Sequence, residues 1–108
     1  MPVVELNINR IRKLVSGKVT RKQILDVLPY LGLDIESEVG DEIRIEYSPN
    51  RPDYSTDYGI ATGLQGLLGI KKGIQKTIIK KKGKFAIKVD SSVTKIRPYV
   101  TGLILSLI

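Results

Sequence analysis

A half-buried strand that meets two prolines and then a helix punctuated by glycine is the feature that most restricts how this chain can fold. Residues 43–69 read IRIEYSPNRPDYSTDYGIATGLQGLLG. Ile43, Ile45 and Tyr47 alternate with Arg44, Glu46 and Ser48, the period of a strand with one packed and one wet face, read as an edge or outer strand. Pro49 and Pro52 follow, and their fixed φ and missing N–H groups end strand pairing. The chain must turn out of the sheet here. Asp53 stands just ahead of a helical pattern, so its carboxylate is placed to accept from free amides of the first turn, with Ser55 as a competing cap. Ile60, Leu64, Leu67 and Leu68 then form one apolar stripe, with Gly59, Gly63 and Gly66 between them. Each glycine inside a helix costs about 1 kcal/mol relative to alanine, so three of them ask for the close approach of another backbone. Gly69 is a natural left-handed exit.

The chain ahead of this corner shows its own punctuation. Residues 3–6 read as a short first strand, and Asn7 or Asn9 can cap a helix whose Ile8, Ile11, Leu14 and Val15 share a face. After Ser16 and Gly17, Thr20 and Gln23 have capping-box spacing. The helix that follows carries Ile24, Leu25, Leu28 and Leu31 as its stripe, with Pro29 expected to kink or end it and Gly32 to release it. Residues 33–39 and 42–47 flank Gly40 and Asp41, which predicts a tight hairpin. Downstream, Phe85, Ile87 and Val89 alternate with Ala86, Lys88 and Asp90, which predicts a strand, and residues 99–107 have the composition of another. The expected fold class is α+β: a small antiparallel sheet with two short N-terminal helices and the Gly-rich helix packed on it. Three parts are expected: a strand-helix-helix-hairpin-helix module at 1–70, a Lys-rich connector at 71–84, and two strands at 85–108 leading into a further domain. The apolar finish of the chain suggests that the native polypeptide continues past Ile108.

Asn50, Arg51, Pro52 and Asp53, followed by Gly59, Ile60 and Ala61 and then by Gly66, Leu67, Leu68 and Gly69, resemble the N-terminal part of the β subunit of archaeal and eukaryotic-type phenylalanyl-tRNA synthetase. Arg97, Pro98, Tyr99 and Val100 are similar to the segment where that subunit passes to its next domain. The resemblance covers nearly the whole chain in order and spacing, with one departure: Thr62 stands where family members commonly carry arginine. It implies a parent α₂β₂ enzyme that attaches phenylalanine to tRNA(Phe) with ATP and Mg²⁺; the cytoplasm is the expected compartment on other grounds, since the N-terminus lacks the basic and long apolar regions of a secretory signal. In that family the synthetic site lies in the α subunit and proofreading in a later β-chain domain. The resemblance therefore implies no catalytic, cofactor-binding or metal-binding residue in this piece, which becomes a structural and interaction module with the α subunit and tRNA as partners.

Composition supports a non-catalytic reading on separate grounds. The chain has no cysteine and no histidine, which removes disulfides, thiolate metal sites and the commonest general base. Its size allows one modest core and not a synthetase active site with all its pockets. No apolar run approaches the roughly 20 residues that cross a bilayer, and neither a membrane nor DNA is an expected partner.

Charge is confined. Of 18 Lys and Arg residues, seven lie within residues 71–84 with no acid among them; the remainder of the chain carries eleven cations and eleven acids. The whole net charge of +7 therefore belongs to Lys71, Lys72, Lys76, Lys80, Lys81, Lys82 and Lys84. Such a tract attracts a polyanion by counterion release with little sequence information, making these lysines the candidate RNA-binding residues. The preferred alternative is a solvated connector, because the tract holds no aromatic for base stacking. Arg51 offers a bidentate grip on a phosphate, yet its place between two prolines favours a structural role with Asp53 in the turn. Asn50, Pro52 and Gly59 are likewise read as structural. Asp57 and Glu46 read as solvated or capping acids, and Tyr30, Tyr54 and Tyr58 as half-buried tyrosines at element ends. Gly63, Gly66, Gly69 and Gly73 do not form a phosphate-binding fingerprint, since none precedes a Lys-Ser or Lys-Thr pair. A rival function is a free-standing basic nucleic-acid-binding domain without enzymatic activity.

Overall fold

The computed structural model describes residues 1–16, 18–80 and 83–106. Two compact units divide the chain, Met1–Gln75 and Lys76–Ile108. The first holds every strand and α-helix among the described residues: β1 (Val3–Asn7), α1 (Ile8–Val15), α2 (Arg21–Val27), β2 (Asp34–Val39), β3 (Glu42–Glu46) and α3 (Asp57–Leu67).

Local chemistry accounts for most of the boundaries. Asn7 accepts from the amides of Asn9 and Arg10 and so starts α1. Thr20 and Gln23 form the reciprocal capping box of α2. Pro29 converts the end of that helix to a 3-10 turn, Leu28–Leu31, because its missing N–H cannot continue the α pattern. Gly32 then leaves at φ 76°. At the hairpin, Gly40 has φ 60° and Asp41 a negative φ, the pattern of a type II′ turn, which suits the twist of paired strands. One residue of β2, Glu36, is bulged out between the pairs Ile35 with Ile45 and Ser37 with Arg44.

The sheet order is β1-β3-β2, antiparallel throughout. This corrects the reading of residues 43–47 as an edge strand: β3 is central. A wet face is set by what lies above the sheet, whereas an edge is set by unpaired backbone, and alternation reports only the first. On that wet face Arg44 reaches Glu36 at 3.5 Å and Glu5 at 3.8 Å. The other face carries Leu6, Ile43 and Ile45 into a core shared with Ile8, Ile11 and Val15 of α1, Ile24 and Leu28 of the second helical segment, and Ile60, Ala61 and Leu64 of α3.

The corner behaves as its prolines demand, with a difference at the cap. Pro52–Ser55 forms a 3-10 turn, and Thr56, not Asp53 or Ser55, caps α3 by accepting from the Gly59 amide. Asp53 is already engaged inside the turn. Of the three helix glycines, Gly59 alone meets the backbone expected of it, Gly63 meets side chains instead, and Gly66 meets neither. A methyl group on Gly59 would overlap the Asp53 carbonyl, and one on Gly63 would press on Leu31 and the Tyr54 hydroxyl; Gly66 faces open space. Leu67, expected in the stripe, is exposed, while Gln65 is buried.

In the second unit, the two strands expected in 85–89 and 99–107 are absent among the described residues; a 3-10 turn at Ser91–Val93 is the regular element there. Residues 85–87 and 102–104 line the two sides of one groove of about 460 Å³. They lie near each other without the hydrogen-bond ladder that alternation alone does not supply. Residue 107 lies outside the described residues. Among those described, no helix is long and apolar enough to cross a membrane.

The glycine contacts predict opposite outcomes on one helix. Gly59→Ala should lower stability by about 3 kcal/mol or more, because the obstructing atom is backbone. Gly66→Ala should raise it by up to about 1 kcal/mol. Urea midpoints of the two variants check this, and similar midpoints would contradict it.

Candidate nucleic-acid interface

Two groups of residues stand out from the sequence, the corner signature and the lysine tract. The structure makes the corner a self-contained unit. Arg51 donates from Nε to Asp53 Oδ1 at 3.0 Å and from Nη2 to Oδ2 at 2.7 Å. The same guanidinium lies 3.9 Å from the centroid of the Tyr54 ring, a cation over an aromatic face. Hydrogen bonding from Arg51 holds the Asp53 carboxyl below its ordinary range, and the same bond raises Arg51 further above the usual arginine value. Both carboxylate oxygens of Asp53 are engaged by the Arg51 fork within the turn.

Tyr54 is buried, whereas Tyr30 and Tyr58 are exposed, more so than half-buried element ends would be. Asp57 pairs with Arg10 of α1, and Glu46 lies 3.9 Å from the Met1 amino group. Arg21 draws Glu38 to 3.2 Å and Asp41 to 3.5 Å. The acids are thus spread over several ion pairs, and among the described residues no three His, Cys, Asp or Glu side chains gather as a metal site.

A residue that sequence reasoning missed is Gln65. It reads as a helix spacer between apolar neighbours, yet it is 7% exposed. Its Nε2 donates to the carbonyls of Leu14 and Val15 at 3.1 and 2.8 Å. Those are among the last carbonyls of α1, which lack partners within their own helix. The only signal in the sequence was a polar residue one position after Leu64, which periodicity cannot distinguish from a solvent-facing one.

The lysine tract begins where α3 ends. The Ile70 amide bonds the Gln65 carbonyl at 2.9 Å and the Gly69 amide the Gly66 carbonyl at 3.1 Å, with Gly69 at φ 71°. This is a Schellman stop. Lys71 and Lys72 follow it directly and are exposed, as are Lys76, Lys80 and Lys84 in a stretch with no helix or strand among its described residues. Lys81 and Lys82 lie outside the described residues. These lysines are close together in the chain.

These features can be set beside known proteins. The chain is 41% identical over 104 residues to the phenylalanine–tRNA ligase β subunit of Archaeoglobus fulgidus, which covers 96% of this chain and 18% of that subunit. The corresponding subunit of Methanothrix thermoacetophila is 37% identical over 101 residues, and that of Methanosphaera stadtmanae 35% over 100, each covering 93% of this chain and 18% of the relative. The chain belongs with the N-terminal region of the phenylalanine–tRNA ligase β subunit. It spans about a fifth of the length of these curated relatives. No protein-family model and no solved structure matches it. The β-subunit resemblance seen at the NRPD corner thus extends through both units of the chain.

The Arg51–Asp53 fork carries a pH signature. A carboxyl whose folded-state pKa is lowered supports folding above its unfolded value of about 4. That support is lost as pH falls through the lowered folded-state value. The native chain should therefore have a higher urea midpoint than Asp53→Asn at neutral pH. The gap should close as pH falls below about 4. A gap that stays constant into strong acid would show that the fork adds nothing to stability.

Proposed function

We propose that this chain serves as the N-terminal module of a phenylalanine–tRNA ligase β subunit, within an α₂β₂ enzyme that attaches phenylalanine to tRNA(Phe) with ATP and Mg²⁺ in the cytoplasm. The observation that carries this reading is the match over 96% of the chain to the Archaeoglobus fulgidus subunit. Among the described residues the acids are dispersed among ion pairs and do not converge as a site for Mg²⁺. No catalytic step is assigned to this module. Its work is to present surfaces: one to the α subunit or to neighbouring parts of the enzyme, and one, the lysine tract, to tRNA.

The tract suits backbone contact. Lysines are flexible point charges that neutralise phosphate without reading bases. The Schellman stop at Gly69 fixes where Lys71 and Lys72 leave the folded core. Among its described residues the rest of the tract has no helix or strand to impose one geometry, which suits a partner whose phosphates lie on a curved path.

The concentration of the net charge in 14 residues also favours a second reading, a free-standing nucleic-acid-binding domain without enzymatic activity. The two part at the gene. A reading frame that runs on past Ile108 for several hundred codons fits the ligase; a stop codon there fits the rival.

Contact with tRNA is tested by salt titration. The triple variant Lys76→Gln, Lys80→Gln, Lys84→Gln should bind tRNA more weakly, with a log–log salt slope shallower by about 2–3. An unchanged affinity and slope would remove these lysines from any tRNA interface.

A further inference from the structure

We propose that a notch beside α3 receives the amine-bearing edge of a single-stranded nucleobase whose ring stacks on Tyr58. The proposal rests on the RNA-contact reading of the lysine tract and gives that contact a base preference that lysines alone lack.

The notch measures about 60 Å³ and is lined by Tyr58, Thr62, Gln65, Lys71 and Gln75 together with Leu14 and Ala61. That is room for about two water-sized groups, too little for a whole base and enough for its edge. Gln65 sets the chemistry. Both groups facing one end of its amide are carbonyl acceptors, so the nitrogen must point to them and the oxygen away. Among the described residues no donor reaches that oxygen, and it keeps access to solvent, since no buried side-chain polar atom there is left without a partner. The notch thus holds a fixed acceptor. The Thr62 hydroxyl donates to the Tyr58 carbonyl at 3.0 Å and so is not free to donate into the notch.

The rim supplies the other two elements of single-strand recognition. Tyr58, in the first turn of α3, is 65% exposed and offers a ring face, on which a base can stack with any sequence. Lys71 is a lining residue and the first of the seven lysines, which puts a phosphate-binding charge next to the stacking ring. This answers the objection that the tract contains no aromatic: the aromatic lies one element earlier in the chain. The acceptor selects among bases. Cytosine and adenine present an exocyclic amine where uracil presents a carbonyl, so cytosine is favoured over uracil at equal ring size.

The test uses the whole chain with fluorescently labelled oligocytidylate and oligouridylate of about ten nucleotides, titrated across salt. Oligocytidylate should bind several-fold more tightly. Tyr58→Ser should weaken that binding by about tenfold with an unchanged salt slope, and Tyr58→Phe should restore it. Equal binding of the two oligomers by the native chain, or native affinity in Tyr58→Ser, would overturn the proposal. The triple lysine variant separates the two levels. If its salt slope falls while Tyr58→Ser binds normally, the notch fails and the lysine reading stands. If its slope and affinity are unchanged, RNA contact through the tract fails.

Discussion

The first unit depends on one backbone contact, the Asp53 carbonyl lying against the first turn of α3 where Gly59 has no side chain. Any larger residue would push the 3-10 turn away from the helix. With the turn seated, Tyr54 is buried, the Arg51 fork closes over it, and α3 lies against α1 closely enough for Gln65 to reach the terminal carbonyls of that helix. A glycine that costs about 1 kcal/mol as a helix residue thus makes possible burial worth several times as much. Asp53 and Gly59, apart in the signature, are thus neighbours in space.

Electrostatics divides along the chain in a way that bears on function. Around the hairpin, acids outnumber bases, and the bases present are engaged: Arg44 with Glu36 and Glu5, Arg21 with Glu38 and Asp41. Exposed pairs of this kind contribute little to stability. Their placement matters more, because charged side chains along the outer strand β2 discourage pairing with another chain. Residues 71–84 contain no acid at all. A tract without internal counter-charges leaves its lysines available to a polyanion, which is why the candidate interface begins at the end of α3 and not on the sheet.

Local signals were legible where a single residue type dictates the backbone. Thr20 with Gln23, Pro29, Gly32, Gly40 and Gly69 each mark a boundary that the structure keeps. Misreadings fell where the answer depends on a distant partner. Residues 43–47 looked like an edge strand and are central; Asp53 looked like a cap and is held by Arg51, leaving Thr56 to cap; Leu67 looked buried and is exposed. The alternation at 85–89 marked faces without supplying a strand to pair with. For the candidate interface, the lysines were evident from charge alone, whereas the Gln65 acceptor and its position near Tyr58 and Lys71 were not.

The sequence by itself determined the elements of the first unit, their caps and turns, the confinement of positive charge, and the kinship carried by the NRPD corner, because each is written in residues close together in the chain. Only the tertiary structure decided the strand order, which glycines are crowded, and that Gln65 turns its nitrogen to the last carbonyls of α1. Those outcomes depend on which backbones approach one another across tens of residues, and hydrophobic periodicity carries no record of such distances.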